Sequence, residues 1–580
     1  MVASPRGLVS TLAYMTQTTA PGRPKRAPKP QGQWKVDGKA PLNHNEELKA
    51  ADDGLNVRER IEQIYALKGF DSIDPDDLHG RFRWWGLYTQ RAQGIPGGKT
   101  ATLEPHELED KYFMLRVRID GGALSTDQLR VIAGISTEFA RDTADFTDRQ
   151  NIQLHWVDVV DVPEIWRRLE AVGLNTTEAC GDVPRVILGS PVAGIAKNEI
   201  IDPTPVIQEI ARRYVGNPEF SNLPRKYKTA ITGHPNQDVV HEINDFALIG
   251  VEHPELGVGY DLWVGGGLSA NPRLGERLGA FVREDIAADV WEAVTSIFRD
   301  YGYRRLRNRA RLKFLLADWG TEKFRQILQD EYLGFELPDG PPAHKPQEAG
   351  DHCGVHEQKD GRFYIGLTPP VGRVSGTLLN KLADLVEAAG SSRLRTTPHQ
   401  KIIALDIPAD HVDAFTGAVQ ELGLDPFPGL IKRSAIACTG IEFCKLAIVD
   451  TKDTTIDAVQ KIESRLADHE GKLPKSLSLH VNGCPNSCAR IQTADIGLKG
   501  QLITNAQGEQ VSGFQVHLGG TLAGFENGEA GLGRTVRGLK VAAQELPEYV
   551  ERVVKSYSSK SAENESFAAW AHRADEEDLV

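Results

Sequence analysis

The chain has 580 residues, 67 Lys plus Arg against 80 Asp plus Glu for a formal net charge of −13, 40% hydrophobic residues and six cysteines. Ordinary glycine, proline and charge content excludes a collagen-like, low-complexity or disulfide-stapled chain, and the length calls for several domains with ample core. The acidic balance speaks against a nucleic-acid partner; no stretch approaches ~18 consecutive apolar residues and no apolar signal core precedes a small-residue cleavage site, so no membrane partner and a cytoplasmic location are expected.

Residues 1–36 contain no Asp or Glu, five prolines and the cations Arg6, Arg23, Lys25, Arg26, Lys29 and Lys35. Such a segment cannot build a packed core, and a disordered arm is expected. A helical and extended segment follows over 37–107. Beyond it the chain repeats itself at a constant offset of 250 residues: Gly122, Ser125, Leu129, Ala133, Thr147, Gln150 and Ile152 recur as Gly372, Ser375, Leu379, Ala383, Thr397, Gln400 and Ile402. Leu223, Pro224, Gly233, Pro235, Asn236 and Asp245 match Leu473, Pro474, Gly483, Pro485, Asn486 and Asp495. A period this long fits a duplicated domain pair rather than a solenoid.

In the first copy, over 108–176, hydrophobic patterning predicts a strand at Tyr112–Ile119, a helix at Ser125–Ala140, a strand at Ile152–Val157 and a helix at Val162–Val172. The second copy, over 358–427, predicts the same order at Phe363–Leu367, Ser375–Ala389, Ile402–Leu405 and Val412–Leu422. Each copy is followed by a larger domain, 177–336 and 428–580, with an acidic, Pro-rich linker over 337–357 and a helical, acidic tail past Ser558. The fold class is α+β, internally duplicated about a pseudo-two-fold axis, and the cleft between the halves is the natural site.

Four cysteines lie in the second half, Cys438 and Cys444 as C-x5-C and Cys484 and Cys488 as C-x3-C. In a reducing compartment such pairs are metal ligands more often than disulfides, and a four-thiolate set can hold zinc or an iron–sulfur cluster. The C-x5-C spacing is unusual for zinc. The first half puts His234 and Asp238 where the second has Cys484 and Cys488, and it concentrates cations: Lys226 and Lys228 share one strand face, as do Arg116 and Arg118, and further arginines stand at Arg149 and Arg185, where the repeat has His399 and Ala435. Singly these are ordinary strand-edge charges; together they make a pocket for an oxyanion or a polycarboxylate. No strand, G-x-G-x-x-G and helix succession occurs, so electrons for a redox centre must come from a separate carrier.

The cysteine pattern, the Thr147–Gln153 run and Arg225-Lys226-Tyr227-Lys228 resemble the sirohaem-containing sulfite and nitrite reductases, over nearly the whole chain from about Pro41. The resemblance implies two ferredoxin-like half-domains, a 4Fe-4S cluster on Cys438, Cys444, Cys484 and Cys488, and Cys488 also as axial ligand of the sirohaem iron. It assigns the sirohaem carboxylates to Arg118, Arg149, Gln153, Arg225, Arg307 and Arg311, and the catalytic binding of the oxyanion, with proton delivery, to Arg116, Arg185, Lys226 and Lys228. Family nitrite reductases tend to carry asparagine at Lys228; a second lysine favours sulfite, largely a dianion, over the nitrite monoanion. The run Arg81–Tyr88 resembles the actinobacterial, ferredoxin-dependent branch, in which a tyrosine and a cysteine are covalently joined; Tyr88 and Cys180 hold those positions, and Val183 stands where that branch can have a second cysteine. The expected activity is assimilatory six-electron reduction of sulfite to sulfide by a monomer using reduced ferredoxin, with nitrite reduction to ammonia as the alternative. A zinc-stabilised anion-binding protein would explain the thiols and lysines but not the duplication. Cys353 is expected to be a free thiol.

Overall fold

The computed structural model describes residues 29–580 apart from 468, 470, 472, 506 and 523–529. Most of the expected arm, 1–28, lies outside the described residues, but its end is docked rather than disordered. The Gln31 carbonyl accepts the backbone N–H groups of Arg304 and Arg305, each at 2.9 Å, and the Arg304 guanidinium lies 3.8 Å from the Trp34 ring. A cation–π contact and two backbone hydrogen bonds thus hold a segment whose composition alone reads as unstructured.

The half-domains form as their patterning requires. In the first, strands Glu109–Val117 and Ile152–Val157 alternate with helices Thr126–Phe139 and Val162–Ala171. The first helix starts at a capping box, Ser125 accepting the Gln128 N–H and Gln128 accepting the Ser125 N–H, and buries Leu129, Ile132, Ala133 and Ser136 along one stripe. In the second copy, strands Phe363–Leu367 and Ile402–Ile407 alternate with helices Gly376–Ala388 and Val412–Glu421. The two capped helices pack on each other at Gly376, where an added Cβ would stand 2.4 Å from the Ala133 carbonyl oxygen.

Each half-domain sheet has five strands, the last of them from the other copy. Arg373–Val374 completes the first sheet by pairing with Ala144–Phe146, and Ala123–Ser125 completes the second by pairing with Arg393–Thr396. The linker expected to run to 357 ends earlier, because Gly354–Glu357 is already the outer strand of the second sheet.

The larger domains repeat one design. Strands Pro184–Gly189, Tyr227–Thr232 and Phe246–His253 run parallel and continue antiparallel into Gly257–Val264 and Glu276–Val282. Ile436–Ala437, Leu479–Asn482, Ile496–Thr504, Gln510–Leu518 and Lys540–Ala542 follow the same path. The equivalence reaches single backbone angles: Gln150 and Gln400, Gln237 and Ser487, and Val240 and Arg490 are left-handed in pairs, with φ between 49° and 58°. Helix Ala287–Tyr301 covers the first sheet, burying Trp291 against Tyr214, Phe220 and Tyr227, and its truncation to alanine should cost about 3–5 kcal/mol. The expected C-terminal tail is core rather than appendage: Phe567, Trp570 and Leu579 are buried against helix Leu546–Lys560.

Candidate active site

Tyr227 points its ring into the core against Trp291 and Phe298, so the period of two turns Lys226 and Lys228 to the opposite side. Neither ammonium has a hydrogen bond or ion pair among the described residues. Burial, with Arg185 and Arg311 close by, brings Lys226 down to about 7. Burial, with Arg149, Lys226 and Arg311 around it, holds Lys228 well below the ordinary lysine value. The strand itself is pinned by Asp245, which accepts the Lys228 N–H at 2.9 Å and both branches of Arg311 at 3.0 and 2.7 Å. Arg311 fits there because Gly267 has no side chain; a Cβ would sit 2.8 Å from the guanidinium. That close approach is the use of the glycine-rich 265–267 run.

Arg116 stands directly across from Gln153 on neighbouring strands and shares its face. Arg149 donates to Asn244 Oδ1 and the Val186 carbonyl, both at 2.9 Å, and burial lowers it to about 9 against the pull of Asp148. The buried Nε atoms of Arg116, Arg149 and Arg490 have no hydrogen-bond partner among the described residues. A cluster of buried donors and ammonium groups without acceptors is a site shaped for anions.

Other expected members are already engaged. Arg118 lies beyond the strand end and is fully used, bidentate to Asp120 at 2.7 and 3.0 Å and bonded to the carbonyls of Pro184 and Arg185 at 3.1 and 3.3 Å. It fixes the turn that carries Arg185 and has no N–H left for a carboxylate, which corrects the ligand role expected for it. Arg225 and Arg307 both pair with buried Asp182, which also faces Lys49 at 3.5 Å. Tyr88, Cys180, Arg116 and Arg185 form one group. Burial and then Cys180 raise the Tyr88 phenol, and although burial opposes charge on Arg116, Cys180 and Tyr88 keep its pKa up.

The four cysteines meet at the edge of this pocket. The Cys438 N–H donates to the Val481 carbonyl and the Gly483 N–H to the Cys438 sulfur at 3.2 Å, tying the two cysteine loops together. Burial and the neighbouring thiols push Cys438 up to about 12, and Cys444 and Cys484 rise for the same causes. These three sulfurs need a positive centre to be thiolates. No three of them come within 4.8 Å of one another, whereas one zinc with bonds of about 2.3 Å would need them near 3.8 Å. That wider spacing is in keeping with a multi-iron cluster. Cys488, the exposed member, lies close enough to Lys226 to offset part of that lysine's burial. Cys353 stands apart, buried, 3.5 Å from the Thr368 hydroxyl. A cavity of about 450 Å³ behind the Cys444 loop is lined by Asp145, Arg373, Glu442 and Phe443, but its charges are internally paired, Asp145 with Lys452 at 3.2 Å and Arg373 with Glu442 at 2.6 Å.

Two contributors escaped the sequence reading. Arg91, 1% exposed, takes the Phe443 carbonyl on its N–H at 2.8 Å and the Lys445 and Ala447 carbonyls on its guanidinium, each at 3.3 Å, so the N-terminal segment clamps the loop bearing Cys444. Arg490, 3.8 Å from Asp148, brings a second-half cation to the cleft; its offset of two from Cys488 was the one available signal.

Comparisons with known proteins agree with this arrangement. The family model described as the nitrite and sulphite reductase 4Fe-4S domain matches residues 180–337 and 431–580, and the nitrite/sulfite reductase ferredoxin-like half domain matches 106–172 and 356–422. Sulfite reductase [ferredoxin] 2 of Mycolicibacterium paratuberculosis is 56% identical over 97% of this chain and 100% of its own. The assimilatory ferredoxin-dependent nitrite reductase of Haloferax mediterranei is 33% identical over 89% of each chain. The solved structure of the Mycobacterium tuberculosis NirA protein superposes with a TM-score of 0.92 at 55% identity, covering 95% of this chain and all of that one. With its duplicated half-domains, its cysteine set and its unpaired cations, this chain belongs to the nitrite and sulphite reductase family.

Proposed function

We propose that the chain is a ferredoxin-dependent sulfite reductase, taking sulfite to sulfide with six electrons while the three oxygens leave as water. The observation that carries this is the pair Lys226 and Lys228, half-buried and unpaired among the described residues, with Lys226 close to Cys488. Two ammonium groups on one strand face suit a dianion, and the greater likeness to a relative named for sulfite than to one named for nitrite, 56% against 33%, supports the same choice.

Cys438, Cys444, Cys484 and Cys488 would hold the 4Fe-4S cluster, Cys488 also the sirohaem iron, with Arg149, Gln153 and Arg311 toward the sirohaem carboxylates. When bound, the coupled pair supplies electrons one at a time at an iron that can take the substrate. The chain's own residues do the rest. Arg116 and Arg185 donate hydrogen bonds to the anion's oxygens; Lys226, near 7, is poised to give a proton and regain it at working pH. Lys228, held by Asp245 through its backbone, adds charge without mobility of the strand. Tyr88 and Cys180 are proposed to be joined by a thioether. One C–S bond forms, two hydrogens leave, and dioxygen takes the two electrons. Cytoplasmic location and a monomer without nucleic-acid or membrane partners complete the reading; no described helix is long and apolar enough to cross a membrane.

The test is kcat/KM for sulfite and for nitrite on the same sirohaem-loaded protein with reduced ferredoxin. A ratio favouring sulfite is expected. A ratio favouring nitrite would overturn the substrate assignment.

A further inference from the structure

The offset of 250 residues sets His234 opposite Cys484 and Asp238 opposite Cys488, so the C-x3-C of the cluster set has an H-x3-D counterpart in the first half. Both segments leave an equivalent strand, Tyr227–Thr232 and Leu479–Asn482, and both turn through left-handed residues at Gln237 and Ser487. The backbone device is the same; imidazole and carboxylate replace thiols. In the second half the remaining donors come from the 438–444 loop, whereas in the first a third donor arrives from the linker. His352 Nε2 lies 2.7 Å from Asp238 Oδ2.

One donor atom from each of His234, Asp238 and His352 lies within 4.8 Å of the other two, the one such set of three among the described residues. The residues are 5%, 2% and 4% exposed, deep enough for an ion to be held without competition from bulk water. Their surroundings have the form of outer-sphere support, in which groups behind the ligands fix their orientation. The Thr232 hydroxyl donates to Asp238 Oδ1 at 2.7 Å and the Ser190 hydroxyl to Oδ2 at 2.8 Å, while His352 Nδ1 stands 3.3 Å from the Tyr364 hydroxyl. The rings of His234 and His352 meet edge to face at 90°, centroids 5.1 Å apart. His234 Nε2 has no partner among the described residues, and its Nδ1 takes only a long 3.2 Å bond from the Asn236 N–H.

The linker is fastened so that His352 can reach. Asn236 Oδ1 accepts the N–H groups of Gln347 and Glu348 at 3.1 and 3.2 Å, and Gly350 passes so close that a Cβ would lie 3.1 Å from the Asp238 Cα. His352 itself is left-handed, φ 55°, a conformation with a backbone cost that its surroundings must offset. A buried Asp–His hydrogen bond alone would account for His352 but not for His234, nor for the shared position with the cluster loop.

We propose that His234, Asp238 and His352 bind one zinc ion, with water as a fourth ligand, which staples the linker to the first half at the place where the second half carries its cluster. Two imidazoles and a carboxylate are a donor set suited to zinc. Bonds of about 2.0–2.1 Å require donors about 3.3 Å apart, so the Asp238–His352 pair, at 2.7 Å, opens by about 0.6 Å as the ion replaces the proton between them. The shift is confined to side chains.

The test uses the holoenzyme from zinc-supplemented cells, passed over a chelating resin, with zinc and iron counted by mass spectrometry and the zinc shell read by X-ray absorption. About one zinc per chain is expected, with nitrogen and oxygen at about 2.0–2.1 Å and no sulfur at about 2.3 Å. Asp238→Asn and His352→Gln should each lower zinc roughly tenfold while iron per chain stays constant, which separates loss of the site from loss of the fold. Wild-type zinc below about a tenth of an equivalent, a sulfur shell, or zinc undiminished in both variants overturns the proposal.

Discussion

Replacing Lys228 by asparagine isolates charge from shape in the anion pocket. The ammonium is unpaired and its pKa is held well below the ordinary lysine value by burial and by Arg149, Lys226 and Arg311, so the folded chain bears a standing cost for it. A unit charge about 4 Å away in surroundings of effective dielectric ~20 is worth about 4 kcal/mol, and desolvation offsets much of this, leaving about 1–2 kcal/mol per unit of substrate charge. A dianion then loses about twice what a monoanion loses. The difference of about 1–2 kcal/mol predicts a fall of about 5–30-fold in the ratio of kcat/KM for sulfite to that for nitrite. Both are measured with reduced ferredoxin on protein whose visible spectrum confirms equal sirohaem loading. Equal losses on the two substrates, with the ratio unchanged within about twofold, would refute the argument, because they would show Lys228 acting without regard to anion charge.

Further expectations concern the ligands and the cations. Cys488→Ser should abolish the electronic coupling between haem and cluster together with turnover; wild-type spectra with retained activity would contradict its bridging role. For the chain without bound anion, Lys226 near 7 lies below its unfolded value of 10.5, so the unfolded state binds more protons between those limits and stability rises with pH across that window. Binding an anion at pH 8 should accordingly take up protons, seen as a buffer-dependent calorimetric heat; release, or none, would show Lys226 already charged. If Tyr88 and Cys180 are joined, their peptides will co-elute as one species two hydrogens lighter than the sum, and two free peptides at full mass would dispose of the link.

The duplication was legible because each half-domain must build the same strands and capped helices from the same spacing, and the cysteine loops because thiols in close pairs have few other uses. What stayed hidden has physical reasons. Arg116 and Arg118 alternate as one strand face would, yet the strand stops at Val117, and Arg118 turns in to Asp120 instead. Arg91 reaches the Cys444 loop across some 350 positions, where no local pattern can point. Trp34 docks on Arg304 from a stretch whose composition lacks any core-forming run. The exchanged strand Arg373–Val374 is two residues long, below any period that could be read.

That exchange bears on how the chain can change over time. Because Ala123–Ser125 finishes the sheet of the second copy and Arg373–Val374 that of the first, a cut through the linker would leave each fragment with an open edge shaped for the other. Separately produced halves should therefore seek each other, and a lone half should pair with a second copy of itself in a symmetric dimer. Joining the subunits of such a dimer in one chain would free them to differ: one could become the holder of thiolates and the other the holder of charge, while neither could leave.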